Sequence, residues 1–121
     1  MKENILKCIA RHNEYGLVLD ETTISGDYKT NHQIFKKVKK AYATINDSDD
    51  KRLAYLELMR STTSSSILTS CCANMMKGDI EPNIARKKLE EQAVDAKIHP
   101  ILAFNAKMFL SEWDKGNITK E

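Results

Sequence analysis

A chain of 121 residues has room for one hydrophobic core, burying roughly 65–70% of its unfolded surface, and is too short for two independent ones. Hydrophobic residues make up 41% and charged residues 30%, too apolar for a disordered chain and too often interrupted by charge for a membrane-embedded one. Nineteen Lys and Arg against seventeen Asp and Glu leave a net charge of +2, all of it within the first sixty residues, which argues against a general nucleic-acid binder built on a strongly basic balance.

No stretch approaches the roughly 18 apolar residues of a membrane span, and Lys2-Glu3-Asn4 followed by Ile5-Leu6 lacks the apolar block of a signal peptide. The expectation is a cytoplasmic protein without membrane association. Cys8, Cys71 and Cys72 are odd in number and two are adjacent, so they predict reduced, buried thiols rather than a disulfide framework.

Helical spacing recurs along the chain, and no run combines strict alternation with β-branched residues and hairpin turns. Ile5, Ile9, His12, Gly16, Leu19 and Thr23 share one stripe and predict a long first helix from about Glu3 to Ile24. Gly16 is its weak point: it either breaks the helix or lets another helix approach closely. Ser25-Gly26-Asp27 supplies the next break. Ile34, Phe35, Val38, Ala41, Tyr42 and Ile45 then follow an amphipathic helical pattern.

Asn46-Asp47-Ser48-Asp49-Asp50 ends that helix and offers a cap to the next, whose stripe reads Leu53, Leu56 and Met59 or Arg60. Ser61 to Ser66 reads as a turn and helix cap. Ile67, Leu68, Cys71, Cys72, Met75 and Met76 form another apolar face, which Gly78 ends. Pro82 and Pro100 each suit a first helical turn. The helix after Pro82 carries Ala85, Leu89 and Ala93 through about Ala96, and the one after Pro100 carries Leu102, Ala106, Phe109 and Trp113. The prediction is an all-α domain of about six helices spanning residues 1–121, joined by short turns and stacked as antiparallel hairpins or packed as a compact bundle.

The chemistry-bearing residues have plain structural readings. His12, His32 and His99 share no metal-ligand spacing with one another or with Cys71-Cys72. Ser64-Ser65-Ser66 lacks the Gly-x-Ser-x-Gly elbow that would expose a nucleophile, so capping explains it. Four glycines form no phosphate loop, and no His-Glu-x-x-His sequence occurs. No metal and no cofactor are expected. Lys36, Lys37, Lys39 and Lys40 read as a solvated helix face, or alternatively as a phosphate-binding one, with Arg86-Lys87-Lys88 a smaller candidate of the same kind.

The segment Ala103-Phe104-Asn105-Ala106-Lys107-Met108-Phe109-Leu110-Ser111-Glu112-Trp113-Asp114-Lys115-Gly116 resembles the closing signature of a family of small bacterial proteins of unknown function. Gly26-Asp27-Tyr28-Lys29-Thr30-Asn31 ahead of an amphipathic helix is similar to that family's other recurring segment. Where such proteins carry an Arg-Leu-Trp-Ala-Ala-like helix, this chain has Ser61 to Cys72 without a tryptophan. The resemblance implies a right-handed α-α superhelix of HEAT or armadillo type and no established activity. Proteins of this size and shape also resemble immunity proteins encoded beside bacterial toxins, including those of contact-dependent growth inhibition.

The expected function is accordingly non-catalytic: a monomer or homodimer that binds a protein partner, a cognate toxin, and blocks it. Asp27, Tyr28, Asp47, Asp49 and Asp50 are the candidate contact residues, because polar and aromatic turn residues near helix ends can reach a partner, and acidic ones can mate with a basic toxin groove. Trp113 is expected in the core with Phe109, or else as an interface anchor. The alternatives are nucleic-acid binding through the Lys36 to Lys40 face and a small hydrolase with an unfamiliar site.

Overall fold

Apolar residues spaced at three and four positions give each segment one face that water disfavours, and six segments solve that problem by packing together. In the computed structural model, which describes residues 1–120, the described residues form helices and no strands. These are α1 (Glu3–Ser25), α2 (Tyr28–Asn46), α3 (Lys51–Ser61), α4 (Ser65–Lys77), α5 (Pro82–Ala93) and α6 (Pro100–Asp114). No helix among them is long and apolar enough to cross a membrane.

Helix α1 runs unbroken through Gly16 and stops at Gly26, which adopts φ 79° and donates its N–H to the Thr22 carbonyl at 3.0 Å. Asp27 then caps α2 by accepting the Thr30 N–H. Asn31 reaches back from α2 to the Thr22 and Thr23 hydroxyls at 2.9 and 3.0 Å, which fixes the two long helices against each other. Ser64 caps α4 by accepting the Ile67 N–H. Pro82 and Pro100 occupy the first turns of α5 and α6, where a missing N–H costs nothing.

Helix α4 occupies the middle of the assembly, packing on α1, α3, α5 and α6, whereas α5 meets only α4 and α6 among the described residues. Its buried face of Ile67, Cys71, Cys72, Met75 and Met76 joins Ile5, Val38, Ile45, Tyr55, Leu58, Ala85, Leu89 and Ala106 in one core. Helix α6 returns to touch α1 as well as α4 and α5.

Several expectations shift by a residue or two. The buried face of α3 is Ala54, Tyr55, Leu58 and Met59, and Leu53 points to solvent at 52% exposure. Leucine outranks alanine on any hydropathy count, but the face of α3 turned to the core carries Ala54 and the Tyr55 ring, both at most 1% exposed. Helix α5 ends at Ala93 rather than near Ala96. In α6 the buried residues are Leu102, Ala106 and Leu110; Phe109 and Trp113 stack on each other at the core's edge, with the Lys120 ammonium 5.4 Å from the indole centroid. Asp50 precedes α3 without a side-chain capping bond.

Gly16 proves to be a close approach. A Cβ there would lie 2.5 Å from Ser64 Cβ and 2.8 Å from Ile67 Cγ1, so the first turn of α4 rests on the glycine backbone. One turn further along α1, Asp20 Oδ1 accepts the Ser64 hydroxyl at 3.0 Å and the Ser66 N–H at 2.8 Å. A Gly16→Ala substitution sets a helix-propensity gain of about 1 kcal/mol against overpacking of about 1–3 kcal/mol. The contact is to an atom one bond from backbone, so the clash wins and the variant loses on the order of 1 kcal/mol or more in urea unfolding. Stability equal to or above that of the parent would contradict this packing.

Candidate functional site

The acidic and aromatic turn residues fall into two groups. Asp27 and Tyr28 lie at the α1–α2 turn, Tyr28 being 85% exposed, whereas Asp47, Asp49 and Asp50 lie at the α2–α3 turn. The nineteen residues of α2 separate these turns by about 27 Å at about 1.5 Å per residue, so the five do not form one compact patch. Within the second group, Asp49 is 3.7 Å from the Lys2 ammonium across a shallow depression shared with Asn4 and Thr44. Both partners are largely exposed, and such a pair contributes little.

The three histidines are dispersed. His12 is wholly buried, its Nδ1 is 2.9 Å from the Cys8 carbonyl and its ring sits 4.5 Å from that of Tyr42. A carbonyl only accepts, so the proton rides on Nδ1 and Nε2 is left as a bare acceptor, without a hydrogen bond among the described residues. Burial lowers the His12 pKa, outweighing the opposing pull of the Cys8 carbonyl. His99 caps α6 by accepting the Ile101 N–H, and His32 is exposed on α2. Among the described residues no group of three His, Cys, Asp or Glu side chains is arranged to hold a metal ion.

All three cysteines are free and buried. Cys8 donates to the Ala41 carbonyl at 3.1 Å, and Cys71 to the Tyr55 carbonyl at 3.5 Å. Burial raises all three thiols, that of Cys72 to about 12. None is a ready thiolate nucleophile.

Ser65, Ser66 and Ser70 of α4 line a cleft of about 210 Å³ with Leu19, Thr23, Asn31, Phe35, Thr69, Leu102 and Asn105. Phe35, expected on the buried stripe, is 38% exposed at this cleft. No acid or base lines it, and its volume falls below the ~300 Å³ at which small-molecule pockets begin. Of the two basic clusters, Arg86 is held by Asp114 through two bonds of 2.8 and 2.9 Å, which takes it out of the phosphate-binding candidates. The α2 lysines are exposed.

A second apolar stripe, exposed rather than buried, lies on the far side of α6. Ile101, Phe104 and Met108 follow an i, i+3, i+7 pattern and are 39%, 53% and 40% exposed. Phe104 also borders a hollow of about 490 Å³ at the α5–α6 connection with Val94, Ile98, Pro100 and Ala103, and Val94 is 83% exposed. Asp95, Lys97 and Lys107 stand exposed beside these groups. The signal in the sequence was the excess of large apolar residues on α6, more than one buried stripe can use. No family profile, curated protein or solved structure matches this chain.

Two outcomes test these environments. The unfolded chain takes up a proton at His12 near pH 6.5, while the buried native ring resists it until lower pH, so native stability falls as pH drops below about 6.5. His12→Gln should flatten this part of the pH profile in urea titrations, and an unchanged slope would refute the burial argument. Native protein at pH 8 should show no rapidly alkylated cysteine, and all three should react in denaturant; a fast-reacting native thiol would contradict the raised thiol pKa values.

Proposed function

We propose that this chain is a non-catalytic immunity protein that binds and sterically blocks a cognate bacterial toxin of contact-dependent growth inhibition type, with its helices stacked as an α-α superhelix. The reading rests on the apolar surface of α6. Val94, Ile98, Ile101, Phe104 and Met108 leave water-exposed hydrocarbon that isolated soluble domains seldom keep together without a partner. An apolar centre beside the mixed charges of Asp95, Lys97 and Lys107 has the anatomy of a protein interface, in which a few aromatic and aliphatic anchors supply most of the affinity.

The acidic turns have a separate part in this proposal. Asp47, Asp49 and Asp50 at one end of α2, and Asp27 with Tyr28 at the other, act on encounter and orientation with a basic toxin surface rather than as anchors.

Co-expression with the product of the adjacent gene tests the proposal. The pair should co-purify, relieve growth arrest and form a complex measurable by calorimetry. Val94→Asp combined with Phe104→Asp alters only exposed side chains; it should weaken the complex by at least about tenfold, or ~1.4 kcal/mol, with an unchanged melting temperature. Neutralising Asp47, Asp49 and Asp50 should slow association and leave dissociation nearly unchanged. A neighbouring gene product that neither arrests growth nor binds the chain would refute the proposal.

A further inference from the structure

The four lysines of α2 do not act as one face. Lys37 and Lys40 line a groove of about 460 Å³ between α1 and α2, and the opposite wall carries Lys7 and Arg11. Lys36 lies outside this lining, and Lys39 is drawn over the Phe35 ring, its ammonium 5.2 Å from the centroid. Two cations from each of two neighbouring helices therefore flank one concavity, and no carboxylate lines it. Lys7 has Glu3 at 3.4 Å, both largely exposed, whereas Arg11, Lys37 and Lys40 have no ion-pair partner among the described residues.

The groove also has an aromatic member. Tyr15 lines it and packs against the core from a half-buried position, so its ring is held rather than free to sweep through solvent. Asn4 and Thr44 add neutral hydrogen-bonding groups. The volume lies inside the range of about 300–1,000 Å³ typical of ligand sites. Unpaired cations along a channel, with a supported ring to stack on, match the chemistry that holds a single nucleic-acid strand: phosphates meet the cations and an unpaired base meets the ring. A duplex fits less well, because its bases are already stacked and this groove is concave where a major groove needs a protruding element.

We propose that the α1–α2 groove is a binding site for single-stranded nucleic acid, with Lys7, Arg11, Lys37 and Lys40 on its phosphates and Tyr15 stacked on a base. This site is independent of the α6 surface; its phosphate contacts make binding salt-dependent, and the near-neutral net charge of the chain keeps the affinity modest.

Fluorescence anisotropy with short labelled oligouridylate and oligothymidylate tests it directly. Binding at about 50 mM salt should weaken with a log–log salt slope of about −2 to −3, since each phosphate contact on a single strand contributes about −0.7. The triple substitution Arg11→Gln, Lys37→Gln, Lys40→Gln should lower affinity roughly tenfold or more and flatten the slope by about 2. Lys36→Gln with Lys39→Gln should leave both unchanged. Tyr15→Leu should weaken binding by about fivefold or more without moving the slope, with circular dichroism and melting temperature reporting that each variant is folded. The proposal is overturned if neither oligonucleotide binds at low salt, if the Lys36 and Lys39 pair matters as much as the groove set, or if polyglutamate displaces the strand as well as unlabelled oligonucleotide does.

Discussion

The meeting of α1 with the N-terminus of α4 governs the arrangement of this molecule. The turn that begins α4 leaves backbone N–H groups without intrahelical acceptors, and Asp20, projecting from α1, takes the Ser66 N–H and the Ser64 hydroxyl onto one carboxylate oxygen. Ser64 in turn accepts the Ile67 N–H, so two helices share one chain of hydrogen bonds. A negative charge at a helix N-terminus is itself stabilising. The close approach depends on α1 presenting bare backbone at Gly16, where a Cβ would crowd the Ser64 and Ile67 side chains and force a shift. Because α4 also packs on α3, α5 and α6, its placement carries the other helices with it.

Further polar ties repeat the same logic. Gln92, buried on α5, donates to the Ser65 carbonyl at 3.1 Å and the Thr69 hydroxyl at 2.6 Å. The Tyr42 hydroxyl, from α2, lies 2.6 Å from that of Ser70, and the Tyr55 hydroxyl donates to Asn46 at 2.6 Å. Each side chain brings a polar group into the interior and finds it a partner, which a sliding or rotated helix would forfeit. The apolar contacts supply most of the drive to pack, while these bonds select one register. Arg86 with Asp114 links α6 to α5 at the surface, and Arg52 with Glu81 joins α3 to the turn that precedes α5.

With registers set in this way, the outward surfaces differ in chemistry. The groove between α1 and α2 collects cations, the outer face of α6 collects hydrocarbon, and the two ends of α2 collect carboxylates. The α6 hollow shares no residue with the α1–α2 groove, whereas Asn4 and Thr44 line both that groove and the depression at Asp47, Asp49 and Asp50. The two proposed binding surfaces, on α6 and in the α1–α2 groove, are therefore separable by mutation.

Much of the scaffold was legible in the residues. Periodicity placed six helices in order; Gly26, Ser64, Pro82 and Pro100 marked boundaries the structure keeps, because capping and backbone restriction are local. Cys71 and Cys72 fell on the apolar face expected of α4 for the same reason, whereas Cys8 lay on no expected stripe and is buried by the packing of α2 on α1. The acidic turns were legible as turns, but their separation along α2 was not, since only the length and direction of that helix set it. The role of Asp20 as a cap for α4 depends on a residue 46 positions away, which no local pattern reveals. Leu53, Phe35 and Trp113 carried the hydropathy of core residues, yet Leu53 and Phe35 are exposed and Trp113 sits at the core's edge, while Ala54 and Leu110 are buried. What the sequence determined by itself was which segments coil and where they stop, since those preferences are settled within a few neighbouring residues. Tertiary structure alone decided which apolar residues stay outside and which lysines share a groove with Arg11, because these depend on the separation and rotation of helices that are distant in the chain.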